Sequence, residues 1–489
     1  MKKILSITLS LLLLVSCFSA VLGVSAASTD IRRISVTING DAKTSCGIAW
    51  YTSEKSASIV KVLKESDYAG SFDGAEVYNP IGGCREFQGN FVHKVTVDHL
   101  QSNTAYVYIV GDGENWSEPG RFVTAIDSAE SFSFITLADV QASSDENFKR
   151  AALVMAAANT KLPDSKFIVN LGDFVNDCTN DEWDWYSDNF SFTNTQTTIV
   201  PVAGNHEGNL KWFWFNNMFN IGAAKGSQTI TGCYYSFDYG NAHIAVLNSN
   251  DMYPMTLQQM NWLKNDMSKS DADWKFVFMH RALYSAGKNI NKPDTIMMRS
   301  NLLPLIDELD IDIVMAGHDH MYFRSEQVKG DAVVPDVQYV VEEYKGEQVT
   351  FAVNPDGTTH ILPSTAGTKR YDVRENVMPP ILDCGAVVKS TKEFGVFSTI
   401  DIVVEPQTQT TKFVFNAYGY DEATQESILI DSYAIKKDMG QNTVDPNYED
   451  APTDSPLLTL QNILRLFTSL GKYFVDLFTK VLPHGFDIF

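Results

Sequence analysis

IDIVMAGHDH, residues 311–320, is an apolar run that ends in two histidines flanking Asp319. A continuous apolar run of this kind predicts a strand buried on both faces. Open α/β sheets bind their ligands outside the carboxyl ends of the strands, so His318 and His320 fall where a ligand would bind. Imidazole and carboxylate groups are common metal ligands. The stretch therefore predicts a metal site at one edge of a sheet.

The same arrangement occurs four more times along the chain. Apolar runs at 132–137, 167–171, 199–202 and 274–279 each lead directly into polar residues. Parallel strands that end at one sheet edge can bring such residues together, whatever their separation in sequence. The polar residues in question are Asp139, Gln141, Asp173, Asn205, His206, Glu207 and His280.

This set of side chains suits two metal ions. Carboxylate, amide oxygen and imidazole bind divalent or trivalent ions such as Zn, Fe, Mn or Mg, and no thiolate is needed. Two ions require a shared ligand, and one carboxylate can bridge ions roughly 3.5–4 Å apart. The strand before Asp173 lies in the middle of the set. Asp173 is therefore the predicted bridging ligand.

The order and spacing of these motifs resemble the calcineurin-like metallophosphoesterase superfamily over about residues 131–435. The resemblance implies an α/β fold, a four-layer α/β/β/α sandwich, in a catalytic domain spanning 131–437. It implies a first metal bound by Asp139, Asp173 and His320. It implies a second metal bound by Asp173, Asn205, His280 and His318.

The resemblance also implies a reaction, hydrolysis of a small phosphorylated substrate by metal-activated hydroxide. His206 would sit beside the substrate and assist the leaving oxygen, and Glu207 would orient it, because a histidine acting as an acid needs its other nitrogen fixed. Arg281 and Tyr284 could contact phosphate, although a structural role is the favoured interpretation for both. A charge-rich stretch at 367–374 is expected to shape the pocket wall and the choice of substrate.

Two positions depart from the family pattern. Many members have a histidine where this chain has Gln141, whose amide oxygen is a weaker ligand than imidazole. Purple acid phosphatases have a tyrosine where this chain has Asn176. Three hypotheses stay open: a phosphomonoesterase, a phosphodiesterase or nucleotidase of the same fold, and a non-catalytic surface binding protein that has lost its first metal.

Residues 30–126 have short apolar runs separated by turn residues, which predicts an all-β sandwich. Trp50 is its predicted central aromatic residue, and Tyr106 its predicted tyrosine corner. The domain resembles the fibronectin-type-III-like amino-terminal domain of purple acid phosphatases. A spacer role is favoured over substrate binding. A Cys46–Cys84 disulfide is one pairing among those that the cysteine count allows.

Both ends of the chain carry segments of a different kind. Residues 1–26 combine Lys2 and Lys3 with an apolar stretch and small residues, as in a secretory signal peptide, which predicts export. The alternative is a lipid anchor at Cys17 on the outer cell surface. Residues 440–456 have linker composition. Residues 457–482 predict an amphipathic helix, which contacts a membrane surface or a partner, or else packs back on the enzyme.

Composition agrees with a large acidic protein. The chain has 489 residues and 44% hydrophobic content, enough for two or three domains. The formal net charge is −22, and the acidic residues are spread along the chain with no long single-sign block. This argues against a nucleic-acid-binding surface.

Overall fold

The structure is a computed structural model. It describes residues 31–80, 82–207, 211–222, 232–250, 255–374 and 384–453, with scattered helical positions between 461 and 475. The predicted signal peptide and Cys17 lie outside the described residues. None of the helices in the described ranges has the length and hydropathy that crossing a bilayer requires.

The first domain is the predicted β-sandwich. One sheet has the order β1-β2-β6-β5 and the other the order β4-β3-β7-β8. Strands β4 and β5 are short, polar and mostly exposed, so their sequences gave no apolar pattern to predict them from. The strands are β1 (Arg32–Thr37), β2 (Cys46–Thr52), β3 (Ile59–Lys64), β4 (Glu76–Tyr78), β5 (Arg85–Phe87), β6 (Asn90–Val97), β7 (Ala105–Gly111) and β8 (Gly120–Val123), with a 3₁₀ turn at Glu65–Asp67.

The interior of this sandwich matches the sequence prediction. Trp50 is fully buried, and its ring stacks on that of His93 with 4.8 Å between centroids. The hydroxyl of Tyr106 accepts a hydrogen bond of 2.9 Å from the backbone N–H of Gln101. That bond is the tyrosine corner expected of this architecture.

The second domain begins with a sheet whose order is β18-β19-β24-β23-β22-β9-β10-β11. Strands β9, β10 and β11 are parallel, so their carboxyl ends share one edge. The strands are β9 (Phe132–Leu137), β10 (Phe167–Asn170), β11 (Thr198–Pro201), β18 (Gln338–Tyr344), β19 (Glu347–Val353), β22 (Gly395–Glu405), β23 (Thr410–Asp421) and β24 (Glu426–Asp438).

A second sheet packs against the first and has the order β12-β13-β14-β15-β20-β16-β17, with β21 paired to β16. Strands β13, β14, β15 and β20 are parallel. The strands are β12 (Tyr235–Tyr239), β13 (Ala242–Val246), β14 (Trp274–Met279), β15 (Ile313–Ala316), β16 (Tyr322–Lys329), β17 (Ala332–Val333), β20 (Thr358–Pro363) and β21 (Val387–Lys389).

Helices cover the outer faces of both sheets. Ser144 and Thr179 cap two of them by accepting hydrogen bonds from backbone N–H groups, and Thr179 forms a capping box with Glu182. The helices are α1 (Asp145–Lys161), α2 (Asn180–Asn189), α3 (Ser191–Asn194), α4 (Trp212–Met218), α5 (Leu257–Met267) and α6 (Pro293–Glu308).

Three apolar cores produce the layers. The central core lies between the sheets and contains Phe134, Phe167 and Phe278, all fully buried. A second core packs α5 and α6 on the outer face of the second sheet. A third packs α1, α2 and α4 on the first sheet. This is the predicted α/β/β/α sandwich.

The two domains share backbone hydrogen bonding. Strand β1 pairs in parallel with β11 through Thr37 and Ile199, so the first sheet of the sandwich continues the first sheet of the second domain. Arg33, whose side chain is buried, forms an ion pair of 2.6 Å with Asp184 on α2. A strand pairing and an ion pair thus join the amino-terminal domain to the second domain, and the spacer role stays a prediction.

The segment predicted as a linker has no helix or strand between 440 and 453, but it lies against the catalytic domain. Tyr448 donates a hydrogen bond of 2.9 Å to the Asn265 side chain on α5, and Lys269 forms an ion pair with Asp450. Composition correctly indicated a lack of regular structure. It could not reveal this docking.

All five cysteines in the part of the chain that the structure describes are free thiols, so the Cys46–Cys84 disulfide is not formed. Cys46 is buried in the sandwich core, where burial raises the pKa of its thiol. Cys84 lies on a partly exposed loop and donates to the carbonyl of Ser56. Membership of the same domain does not place two thiols within bonding distance.

Candidate metal centre

The five polar motifs meet at one edge of the two packed sheets. Strands β9, β10, β11, β14 and β15 each end one to four residues before a predicted ligand. Two groups of side chains have ligand atoms that all lie within 4.8 Å of one another. The first group is Asp139, Asp173 and His320. The second group is Asp173, His280 and His318.

Asp173 belongs to both groups and is 2% exposed. Its Oδ2 lies 3.3 Å from Nε2 of His280, and its Oδ1 accepts the backbone N–H of His206 at 2.9 Å. Burial alone would raise the pKa of Asp173, but the charge and hydrogen bond of His280 hold it well below its usual value. The carboxylate therefore stays ionised, as a bridging ligand must.

The other predicted ligands surround this carboxylate. Nε2 of His320 lies 3.4 Å from Asp139 Oδ1, and Nε2 of His280 lies 3.1 Å from Asn205 Oδ1. His280 and His320 each turn Nδ1 toward a backbone carbonyl, that of Leu171 or Lys369. Bonds of this kind leave Nε2 facing the site and fix the ring orientation.

Two buried atoms in the site have no hydrogen-bond partner in the described part of the chain. They are Oε1 of Gln141 and Nε2 of His318. Burial and the positive charges of His280 and Arg281 lower the pKa of His318, which keeps its nitrogen lone pair free. Bound cations would provide partners for these two unpaired acceptors, which face a cluster of carboxylates and imidazoles. The residues present therefore fit two metal ions.

The backbone is strained at the site. Asp139, Gln141, Asp173 and His318 all have φ between 37° and 72°, the left-handed region that side chains disfavour. Position 204 requires glycine because the two loops approach closely there, and a Cβ would lie 2.1 Å from the backbone nitrogen of Asp173. Loops held this tightly keep the ligands in place before any ion binds.

The prediction for Glu207 was wrong. Its fully buried carboxylate accepts backbone N–H groups of Asp173 at 3.0 Å, Val175 at 3.1 Å and Gly204 at 3.2 Å. It therefore ties the two loops that follow β10 and β11 to each other. Nδ1 of His206 instead donates a hydrogen bond to the carbonyl of Asn176.

His206 lies at the rim of the site. Its side chain is 25% exposed, and Nε2 is 3.9 Å from Oδ2 of Asp173. The amide nitrogen of Gln141 contacts this same Nε2. Among the residues that bear on the site, sequence reasoning missed the carbonyl of Asn176 and the ring of Tyr371, which stacks on His320. Tyr371 belongs to the stretch 367–374 that was expected to shape the pocket wall, and Asn176 was noted only for the tyrosine that it replaces, so neither contact was predicted.

Arg281 and Tyr284 have structural partners. Arg281 forms an ion pair of 2.8 Å with Asp294 and donates to the Asn250 side chain. Tyr284 is fully buried and donates to Asp331 at 2.6 Å. The favoured structural interpretation of both residues agrees with these contacts.

Comparison with known proteins finds a matching family for each of the two domains. The calcineurin-like phosphoesterase family matches residues 132–322, and the purple acid phosphatase N-terminal domain matches 31–124. A purple acid phosphatase of Glycine max is 27% identical over 265 residues, 50% of this chain and 55% of that protein. Purple acid phosphatase 23 of Arabidopsis thaliana is 25% identical over 328 residues, 57% of this chain and 66% of that protein.

Solved structures agree on the fold. A purple acid phosphatase from Lupinus luteus seeds superposes with a TM-score of 0.64 at 14% identity, covering 84% of this chain and 75% of that one. PhoD superposes with a TM-score of 0.56 at 12% identity. The chain spans about half the length of the curated relatives it matches.

The fold, the paired ligand groups and the family match together define a calcineurin-like phosphoesterase domain. The domain in front of it is the purple acid phosphatase N-terminal domain. The chain thus combines a domain that matches the calcineurin-like phosphoesterase family with one that matches the purple acid phosphatase N-terminal domain.

Proposed function

We propose that this protein hydrolyses phosphate monoesters with the help of two metal ions. The observation that carries the proposal is the position of Asp173, whose carboxylate belongs to both ligand groups. A site built around one shared carboxylate is suited to hold two cations side by side. The relatives named purple acid phosphatase support the phosphatase assignment.

Seven side chains would hold the ions. When bound, two ions provide a nucleophilic water at neutral pH and neutralise charge on the phosphoryl oxygens. Asp173 supplies the shared ligand. The first ion would take Asp139, Gln141 and His320, and the second would take Asn205, His280 and His318.

His206 is the proposed catalytic residue of the chain itself. It reaches the rim of the site, and its Nδ1 is fixed by the carbonyl of Asn176. A histidine held in this way can pass a proton at Nε2 to the oxygen that leaves phosphorus. Gln141 must then release Nε2, because its amide nitrogen occupies that atom in this structure.

The test uses the full chain, stripped of metal and resupplied separately with Zn, Mn, Fe, Mg or Ca. We expect restored hydrolysis of a monoaryl phosphate such as 4-nitrophenyl phosphate. A higher rate on bis-aryl phosphate would favour the phosphodiesterase or nucleotidase hypothesis. Failure of a folded, metal-loaded protein to turn over either ester would favour the non-catalytic binding protein.

We further propose that the protein is secreted, through the signal peptide at 1–26. The amino-terminal sequence of the mature protein distinguishes the two routes. Cleavage after Ala26 or Ala27 supports secretion, whereas a blocked, lipid-bearing Cys17 supports the anchor.

The carboxyl-terminal helix is proposed to contact both the enzyme and an apolar surface. Ser469 is buried and accepts a hydrogen bond of 3.0 Å from Asn301 on α6, so one face packs on the domain. Leu464, Phe467 and Phe474 are each more than half exposed. Their apolar faces suit a membrane surface. Binding of the full chain to anionic vesicles, compared with Phe467→Ser, tests this.

A further inference from the structure

The loop that follows β20 packs on the first-metal side of the site. Thr365 Oγ1 donates to the carbonyl of Asp139 at 2.6 Å, and Ala366 N–H donates to the carbonyl of Ala138 at 2.8 Å. A Cβ at position 367 would lie 2.2 Å from the carbonyl oxygen of Val140. The loop at 364–374 is therefore fixed against the strand end that carries Asp139.

This loop also contacts His320. Its Lys369 carbonyl accepts from Nδ1 of His320, and the backbone N–H of Tyr371 donates to the carbonyl of His320 at 3.1 Å. The Tyr371 ring stacks on the His320 ring, with 4.3 Å between centroids and 12° between planes. Tyr371 thus covers one face of a metal ligand.

A second loop reaches the same ring from the other side. Lys288 places Nζ 4.1 Å from the centroid of the Tyr371 ring. Its neighbour Asn289 donates to Oδ1 of Asp319 at 2.7 Å, which anchors this loop between the two ligand histidines. The backbone N–H of Arg374 donates to the carbonyl of Ala286 at 3.0 Å and joins the two loops.

The two loops bring together Lys288, Lys292, Lys369 and Arg374, which we call the basic wall. All four are exposed. Partial burial of Lys288 and the charges of Lys292, Lys369 and Arg374 lower the pKa of Lys288, and the charge of Asp319 opposes this shift. Lys292 also lies close enough to lower the pKa of His318.

No described carboxylate forms an ion pair with any member of the basic wall. Asp294 pairs with Arg281, and Asp372 pairs with Lys392. The charge of Asp319 acts on Lys288, but its Oδ1 accepts a hydrogen bond from Asn289. Like charges held together without counter-ions are unfavourable unless an anion binds among them. In a chain of net charge −22, such a cluster beside the metal centre is the exception.

We propose that the basic wall is a second anion subsite, which selects substrates whose leaving group carries its own phosphate. The proposal rests on the hydrolase function proposed above. Water would add to the phosphorus of the substrate, the bond from phosphorus to the leaving oxygen would break, and that oxygen would take up a proton. The products are orthophosphate and a leaving group that keeps its second phosphate on the wall.

The test compares substrate pairs that differ only in the second phosphate. Fructose 6-phosphate against fructose 1,6-bisphosphate represents esters, and AMP against ADP represents anhydrides. In the metal-loaded full chain, Lys288→Gln should raise KM for the doubly phosphorylated member about three- to tenfold, the range for one exposed charge contact. KM for the singly phosphorylated member should stay within about twofold.

Lys61→Gln is the matched control. Lys61 also lies over an aromatic ring, with Nζ 4.3 Å from Trp116, but it belongs to the amino-terminal sandwich. Lys61→Gln should leave KM unchanged for both members of both substrate pairs. A fall in kcat/KM of equal size for both members with Lys288→Gln would mean that the wall only attracts anions in general, and would overturn the proposal.

Calorimetric titration separates this proposal from the hydrolase proposal. Inorganic pyrophosphate should bind the metal-loaded protein more tightly than orthophosphate does, and Lys288→Gln with Lys369→Gln should remove that preference. If the protein hydrolyses 4-nitrophenyl phosphate yet shows no such preference, only the subsite is wrong. If it binds pyrophosphate preferentially without turnover, only the hydrolase proposal is wrong.

Discussion

The side-chain amide nitrogen of Gln141 donates to Nε2 of His206, whose Nδ1 donates to the carbonyl of Asn176. This pattern places the ring proton on Nδ1. It also turns Oε1 of Gln141 away from His206, and that oxygen is buried without a partner. Gln141 therefore links the first-metal side of the centre to the proposed catalytic histidine.

Replacement of His206 should separate catalysis from metal binding. His206→Ala should keep both metal ions, because its ring belongs to neither ligand group. It should lower kcat about 10²- to 10⁴-fold, the range for a group that transfers a proton. Metal analysis beside steady-state kinetics checks this. An unchanged kcat would remove His206 from the reaction.

Substitutions at Gln141 test its link to the first metal. Gln141→His should raise first-metal affinity, because imidazole is the better ligand, while Gln141→Leu should lower it at least about 10- to 100-fold, the cost typical of an outer-shell partner. Metal titration followed by calorimetry measures both. Equal affinities in wild type and both variants would place Gln141 outside the coordination sphere.

Replacement of the shared ligand should remove more metal ions than replacement of an unshared ligand. Asp173→Asn should lose both ions, since its carboxylate lies in both groups, whereas Asp139→Asn should lose one. Asp177→Asn is the control, because Asp177 is an exposed neighbour outside both groups. Elemental analysis after dialysis gives the count. Retention of two ions by Asp173→Asn would contradict a bridging role.

Glu207 should act through the backbone. Glu207→Gln replaces an acceptor of three N–H groups, and we expect the free energy of unfolding to fall by about 1–3 kcal/mol, the cost of leaving a buried donor without its acceptor. Metal content should fall as well, since the loop carrying Asp173 loses its anchor.

Glu182→Gln provides the comparison for that experiment. Glu182 is also buried and accepts backbone N–H groups, those of Asp177 and Thr179, but it caps α2 away from the ligand groups. It should lower stability and keep both metals. If Glu207→Gln kept full metal content too, the anchoring role would be refuted.

His243 predicts a pH dependence of stability far from the metal centre. Burial would lower its pKa, but hydrogen bonds of 2.6 Å to Asp238 and 2.9 Å to Asp266 raise the pKa to about 9. The folded pKa exceeds the usual value of about 6.5, so this contribution is complete below about pH 6.5 and is lost as pH rises through about 9.

The loss should amount to about 3 kcal/mol, at 1.36 kcal/mol for each pKa unit. Urea unfolding at pH 6 and pH 9.5 measures it, and His243→Asn should reduce the difference between the two pH values. His99→Asn is the control, because the His99 side chain is 91% exposed. An unchanged pH difference in His243→Asn would show that the ion pairs add no stability.

Much of the fold could be predicted because its patterns are local. Short apolar runs separated by turn residues, such as the run around Trp50, predicted the sandwich, and continuous runs such as Phe132–Leu137 predicted the buried strands. Strands β4 and β5 escaped prediction because exposed polar strands have no apolar period. The Cys46–Cys84 pairing failed because a disulfide depends on the distance between two chain segments, which spacing in sequence does not define.

By itself, the sequence determined the ligand types, their order and the strand ends that present them, since apolar patterning and side-chain chemistry are properties of short segments. Only the tertiary structure decided what Glu207 anchors, which carbonyl holds His206, and which cations gather around Tyr371. These contacts join loops that are far apart in sequence. Their geometry follows from how two sheets pack and where their loops then meet, and no single segment encodes it.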